Sequence, residues 1–467
     1  MAGQVNNPGL AALLLLFLLS SGIAAQQSVL DYESFLQDLV ESHPLSKRGR
    51  NTKTYGAAQL RAARGEYDAT VAGSYRNKYF QGTQYYSIAA AELRQPIFTS
   101  QYLKLGYDIA AGSFLNPQLL TPATGVPFAG IEVGLLQGLV IDERRARVLK
   151  ARLFQNYHEA EGNMQLNELL FSAANFYIGW LLAQQKASLN LYYLEMATER
   201  FNGIKQLALA GEKPAIDTVE AAMQIQAREI EYSTTMQQLR TETNNLNYFL
   251  SPTALNSEGF KAKDSLELYF MRSRTNTAAL VNNTYQNNPL LLQHLARQKA
   301  AEVDVLFRKE LIKPQLDVSY NFLAGRNNLN DFVLSPNNSQ WGLNVSFPLF
   351  FRKSVNEYRM ARIVSMNAEL ELTNKANELQ ARLSAAVENI AEILKQLRAA
   401  SQNAEFSKKM LNAELLRFEV GESSIFLINA RENKQLDAEL KLLELKAGFI
   451  KHILFIKFLN GDLNYTL

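Results

Sequence analysis

The chain has 467 residues, enough for two or three ordinary domains, with 48 Lys and Arg against 45 Asp and Glu for a formal net charge of +3. That near-balance gives no electrostatic pull toward nucleic acid, which is not expected as a partner. The sequence has no cysteine, which excludes thiolate catalysis, disulfides, thiol zinc sites and an acylated N-terminal cysteine.

Leu10 to Ser20 is an apolar run the length of a signal-peptide core, followed by Gly22, Ala24 and Ala25. A signal peptide over residues 1–25 is expected, although Met1 to Gly9 carries no Lys or Arg. No later stretch reaches the ~18 apolar residues of a spanning helix. If the mature chain crosses a membrane, it must do so as a closed barrel, because only helices and barrels satisfy their backbone groups in lipid.

Residues 31 to 65 predict helix, broken at Pro44. From Glu66 the period changes to two. Tyr67, Ala69, Val71, Gly73 and Tyr75 alternate with polar or small residues, as do Leu103, Leu105, Tyr107, Ile109 and Ala111, and then Ile131, Val133 and Leu135. Tyr85 to Gln95 is a less regular strand, and Asn116 to Pro127, with three prolines, predicts a loop. Strands of this kind suit either a transmembrane barrel or a half-buried sheet.

Asp142 to Ala210 returns to a helical period without a proline. Leu166, Leu170, Ala173, Tyr177, Trp180, Ala187, Leu191, Leu194 and Phe201 fall at steps of three and four, with Gln184 and Thr198 at the remaining positions, which predicts a coiled-coil seam. Gly211 and Pro214 stop this helix, and Ala215 to Leu250 can return antiparallel.

The second half repeats the plan. Val318, Tyr320 and Phe322 make one strand, Trp341, Leu343, Val345 and Phe347 another, and polar Gly325 to Gln340 predicts the loop between them. Leu383, Ala386, Ile390, Ile393, Leu397, Ala400 and Ala404 then step by three and four up to a turn at Gly421. The expected first repeat is 26–260, with strands over 66–141 and helices over 142–250. The second is 261–467, with strands over 316–349 and helices over 352–460. Pro44 to Gly211 is 167 positions and Pro289 to Gly421 is 132, so the first repeat carries 35 more. Ser100 to Gln137 is the natural place for them, as one added hairpin.

Too few strands to close a barrel alone, joined to helices that need partners along their length, imply closure with other copies. Three chains of four to six strands give 12 to 18, within the range of known barrels. The fold class expected is mainly α with a membrane β-barrel, continued by a helical tunnel.

Here a resemblance becomes specific. Asn288-Pro289-Leu290, Ala300-Ala301, Pro314, Ser346-Phe347-Pro348-Leu349-Phe350, Arg417-Phe418-Glu419-Val420-Gly421-Glu422-Ser423-Ser424 and Asn429-Ala430 stand in the order of the TolC-like outer-membrane efflux protein family, which the chain resembles from about Asp31 to Leu463. In the first repeat Asp142-Glu143-Arg144-Arg145-Ala146, Arg200-Phe201, Gly211 and Asp217 match the corresponding segments. The resemblance implies a homotrimeric outer-membrane channel with a periplasmic α-helical tunnel. Such a channel receives substrates from an inner-membrane transporter through a periplasmic adaptor, as in efflux or type I secretion, and needs no cofactor.

It also implies that the turns at Gly211, Glu212 and Lys213 and at Gly421, Glu422, Ser423 and Ser424 face the adaptor, and that acidic residues beyond them constrict the tunnel. The second turn departs from the pattern, reading Ile425-Phe426-Leu427-Ile428-Asn429 where many relatives carry aspartates. Asp217 and Glu220, three apart on one helical face, are therefore the gate candidates, with Asn429. Alternatively, both acids favour the first turn of a helix for its own sake.

Three other classes compete. His43, His158, His294 and His452 sit in different elements with no metal or triad spacing, so an enzyme is not expected. A soluble periplasmic coiled-coil scaffold is the alternative to the channel. A simple porin would spend most of its length on strands.

Overall fold

The structure is a computed structural model that describes residues 28–250, 260–263, 265–275, 288–325, 333–461 and 463. The expected signal peptide lies outside these residues. In chain order the elements are β1 (Ser28–Leu30), α1 (Tyr32–Ser42), α2 (Pro44–Arg64), β2 (Thr70–Phe80), β3 (Thr83–Pro96), β4 (Gln101–Ala111), β5 (Val126–Gly134), α3 (Glu143–Leu209), α4 (Ala215–Asn247), β6 (Phe260–Ala262), α5 (Leu266–Thr275), α6 (Pro289–Glu310), β7 (Gln315–Gly325), β8 (Val333–Ser346), α7 (Arg352–Glu419) and α8 (Ile425–Asn460). Each half thus runs from a helix opened by proline through strands to a helix of 67 or 68 residues, a glycine turn and a return helix. Among the described residues no helix is long and apolar enough to cross a membrane.

The chain forms two compact units. One comprises residues 48–164 and 285–380 and holds the sheet, ordered β2-β3-β4-β5-β7-β8 with every neighbour antiparallel. The β4–β5 hairpin, within the segment Ser100 to Gln137 where an added hairpin is expected, lies in the sheet between β3 and β7. Residues directly opposite in an antiparallel pair share a face, so the register sorts the whole sheet. Val71, Gly73 and Tyr75 pair with Leu93, Ala91 and Ala89. Those three pair with Leu105, Tyr107 and Ile109, and Leu105 and Tyr107 pair with Ala129 and Pro127. Ile131 and Val133 meet Tyr320 and Val318, which meet Trp341 and Leu343. One face is therefore apolar across all six strands. It is uncovered, with Val71 80% and Trp341 71% exposed. The opposite face carries Arg76, Lys78, Glu92, Arg94, Lys104, Asp108, Glu132, Asp317 and Asn344.

Two expected loops are shorter than predicted. β5 begins at Val126, so Val126 and Pro127 are in the strand, opposite Asp108 and Tyr107. β8 begins at Val333 rather than after Gln340, and residues 326–332 of that expected loop lie outside the described residues. Pro336 fits in β8 because β8 is an edge strand and the β7–β8 register shifts between Phe322 and Ala324, where the ladder is already irregular.

The other unit comprises residues 1–47, 165–284 and 381–467, and the elements of its described residues are helices apart from the short parallel pair β1–β6. Asp31 caps α1 by accepting the Ser34 N–H at 3.3 Å, and α1 ends at His43, before Pro44. Tyr32, Phe35, Leu36 and Leu39 of α1 are buried, with the Tyr32 ring edge-on to Tyr177 of α3 at 5.2 Å. The seam of α7 is as expected: Leu383, Ala386, Ile390 and Leu397 are buried, and the series continues through Ser407, Leu411 and Glu414. In α3 it slips by one position. Beyond Leu181 the buried residues are Ala183, Ala187, Asn190, Tyr193, Ala197 and Ile204, whereas Leu191 is 37% exposed. From Leu169 to Leu181 the helix is buried along two adjacent stripes, so apolar residues there fit either register and a single 3.5-residue seam is not imposed.

Candidate functional site at the helical turns

Both turns of the helical unit close by the same backbone device. The Gly211 N–H donates to the Ala208 carbonyl at 3.1 Å and the Glu212 N–H to Leu207 at 2.9 Å. Exactly the same pattern, offset by 210 positions, joins Gly421 to Phe418 at 3.1 Å and Glu422 to Arg417 at 2.8 Å. Both are Schellman closures. They place Gly211 at φ +79° and Gly421 at φ +82°, a left-handed conformation that glycine adopts without a Cβ penalty. The return helices differ at their starts. Ser424 caps α8 through its hydroxyl, which accepts the Leu427 N–H at 3.4 Å, whereas Pro214 gives α4 no side-chain cap.

Side chains tie each turn down. The Lys213 ammonium lies 4.5 Å from the centre of the Phe418 ring, so the first turn reaches the helix that leads into the second. The Ser423 hydroxyl donates to Glu414 at 2.6 Å, and Arg431 pairs with the other Glu414 oxygen at 3.5 Å. These contacts, the Ser423 hydrogen bond first, hold the Glu414 carboxyl below the usual carboxylate range. Ile204, Ala221 and Ile425 form a small buried core with Phe201 packed on it, joining α3, α4 and α8.

Just inside the turns lies a buried ionic cluster. Glu432 of α8 is fully buried and ion-pairs with Arg200 of α3, while its other oxygen is 3.7 Å from Arg228 of α4. Arg228, 2% exposed, also pairs with Glu231 at 2.7 Å and donates to Asn433. Arg200 donates to Asn429 Oδ1 at 3.3 Å. Two turns further along, the Tyr193 hydroxyl donates to Glu439 at 3.2 Å, and burial first, then that carboxylate, raises the phenol well above its ordinary value. Two arginines facing one enclosed carboxylate give each charge a partner, which buried charge requires.

The three gate candidates divide. Asn429 is buried within this cluster, on Arg200. Asp217 and Glu220 lie on the first turns of α4, half-buried. Among the described residues neither makes an ion pair with the cluster. The reading from sequence did not single out Glu432 and Arg228. The available signal was polar residues at core spacing in α8, where Asn429, Glu432 and Gln435 follow Ile425 at the steps a hydrophobic seam would take.

A family model described as outer membrane efflux protein matches residues 280–448. No curated protein sequence matches the chain. Solved structures similar in fold include the VceC outer membrane protein of Vibrio cholerae, at 13% identity over 92% of this chain and 96% of that one with a TM-score of 0.63. They include the open-state MtrE outer membrane channel of Neisseria gonorrhoeae, at 14% over 93% and 90% with a TM-score of 0.63. The CmeC outer membrane channel of Campylobacter jejuni is similar at 12% over 100% and 95%, with a TM-score of 0.61. Residues 280–448 of this chain are thus similar to the outer membrane efflux protein model, and the fold is shared along nearly the whole chain with these three solved structures.

Proposed function

We propose that the chain is the outer-membrane channel of a tripartite efflux or type I secretion assembly, working as a homotrimer that conducts substrates passively. The observation that carries this reading is the sheet. Its six strands of 9 to 14 residues are long enough to cross a bilayer when tilted, and one face is apolar and uncovered from edge to edge. A face of that size in water would be a liability, and lipid is the solvent that suits it. Among the described strands β2 and β8 stand at the two ends of the sheet, so the sheet is completed by copies of itself.

The helical turns are the proposed contact for a periplasmic adaptor, which passes substrate from an inner-membrane transporter. Leu209, Ile216, Val420 and Phe426 stand exposed there beside Glu212, Lys213, Glu422, Ser423 and Ser424, an apolar surface rimmed by polar groups. Asp217 and Glu220, repeated around a three-fold axis, would form a cation-attracting constriction behind the turns. Asn429 belongs to the cluster that fixes α8 against α3 and takes part by setting how far those helices can separate.

The test is extraction of the mature protein in detergent, with mass by light scattering and shape by negative-stain imaging. A three-fold particle carrying a detergent belt is expected. A monomer that stays soluble without detergent would remove the channel.

A further inference from the structure

We infer that the β4–β5 hairpin is part of the membrane-spanning wall, so that the barrel has eighteen strands and a bore wide enough for bulky solutes. This rests on the trimeric channel reading above. Three copies of the six-stranded sheet make eighteen strands, and without β4 and β5 three copies of the remaining four would make twelve.

Three observations place the hairpin in the wall rather than in the bore or outside it. First, it alternates in phase with its neighbours. Leu103, Leu105, Ile109 and Ile131 lie on the apolar face, in register with Leu93 of β3 and Tyr320 of β7, and Lys104, Asp108 and Glu132 lie on the other. A plug or an external flap has no reason to match the two-faced pattern of strands on both sides.

Second, both seams are specifically built. Glu132 of β5 receives Arg94 of β3 at 2.9 Å and also pairs with Lys104 of β4, so one carboxylate links three strands. On the polar face Gly106 sits opposite Phe128, and a Cβ on Gly106 would lie 2.2 Å from that ring. Gly130 sits opposite Asn321, whose side-chain oxygen would lie 1.9 Å from a Cβ there. The glycines let these larger side chains lie along the wall instead of projecting into the bore.

Third, the insertion preserves direction. A hairpin adds an even number of strands, so β3 and β7 keep the antiparallel sense they would need as direct neighbours. The edge strands β2 and β8 also remain antiparallel, as ring closure between copies requires. With strands about 4.8 Å apart and tilted about 40°, an eighteen-stranded ring is roughly 36 Å across between backbones and a twelve-stranded one roughly 24 Å. The hairpin therefore widens the ring by roughly 12 Å between backbones.

The chain has no cysteine, so a single introduced thiol reports alone. The trimer in phosphatidylcholine vesicles would be labelled with a membrane-impermeant maleimide at Leu105→Cys, Ile131→Cys and Asp108→Cys, with Leu343→Cys and Asn344→Cys on β8 as references. Asp108→Cys is expected to react at the rate of Asn344→Cys, and Leu105→Cys and Ile131→Cys about tenfold slower, like Leu343→Cys, because lipid covers them. Equal, fast reaction at Leu105, Ile131 and Asp108, with the β8 pair still differing, would overturn the inference and leave the channel. Equal reaction at both β8 positions would remove the channel reading and the inference with it. Cryo-electron microscopy of the unmodified trimer needs no variant: eighteen strands in the membrane cross-section support the inference, and twelve end it.

Discussion

Arg200 of α3 and Glu432 of α8 form an ion pair in which the carboxylate is fully buried, and Arg228 of α4 approaches the same group from a third helix. The helices behind both turns are thus held by a charge that has no water to fall back on. Removing one member of such a cluster strands the rest. Glu432→Gln is expected to cost about 3–5 kcal/mol, read as a lowered unfolding midpoint of the detergent-solubilised protein. A double-mutant cycle with Arg200→Gln should show coupling of at least ~1 kcal/mol, and additivity would mean that the pair is not a unit.

The turn glycines are held at positive φ, so Gly211→Ala and Gly421→Ala are each expected to cost about 1–2 kcal/mol. Hydrogen exchange of the amides at Glu212 and Glu422, which donate into the closures, is the local readout. Unchanged protection in both variants would contradict the left-handed assignment.

The Glu414 carboxyl is held below its ordinary range, chiefly by the Ser423 hydroxyl. A depressed carboxylate stabilises the fold above its unfolded value, near ~4.3, and loses that contribution as pH falls through the lower folded value. Protection of the second turn should therefore weaken only on acidification below about pH 4. Ser423→Ala should shift that loss to higher pH.

His43 follows the same sign at a higher pH. Its Nδ1 accepts the Leu45 N–H at 3.2 Å, so the neutral ring is the form the fold uses, and burial lowers its pKa against a smaller opposing effect from the Tyr248 backbone. A histidine lowered in the fold stabilises it fully above the unfolded value of about 6.5 and loses this as pH falls below it. His43→Asn should flatten the dependence of the unfolding midpoint between about pH 7.5 and 5.5.

The two faces of β8 give a direct contrast. Leu343→Arg places a charge on the apolar face and is expected to cost about 2–4 kcal/mol if it lies near the bilayer midplane. Asn344→Arg, one residue on and facing the other way, should be nearly neutral. Folding efficiency into lipid vesicles compares them, and equal costs would mean that the apolar face does not meet lipid.

Much of this architecture was legible because it is periodic. Leu383 to Leu397 announces the α7 seam residue by residue, and the 35-residue surplus between Pro44 and Gly211 marks an added hairpin at Ser100 to Gln137 without showing whether it joins the sheet. Legibility fails where composition and context disagree. Pro127 and Pro336 carry a loop's signature but sit in strands, the second on an edge where a missing N–H is tolerated. The slip in α3 after Trp180 depends on which helices pack against it, which no single-helix pattern contains. No pattern in the sequence pairs Glu432 with Arg228, and only the meeting of three helices makes them interior charges.

The two turns share a backbone to within 3° in φ at their glycines, yet nearly every side chain around them differs: Lys213 stands where Ser423 does, and Pro214 where Ser424 does. The two turns thus share a shape and differ in its chemistry. A partner that grips only the backbone and its closures would count two equivalent docking points per chain, and one that reads side chains would count a single point. Binding stoichiometry at this end of the protein is therefore a report on which of the two languages its partner speaks.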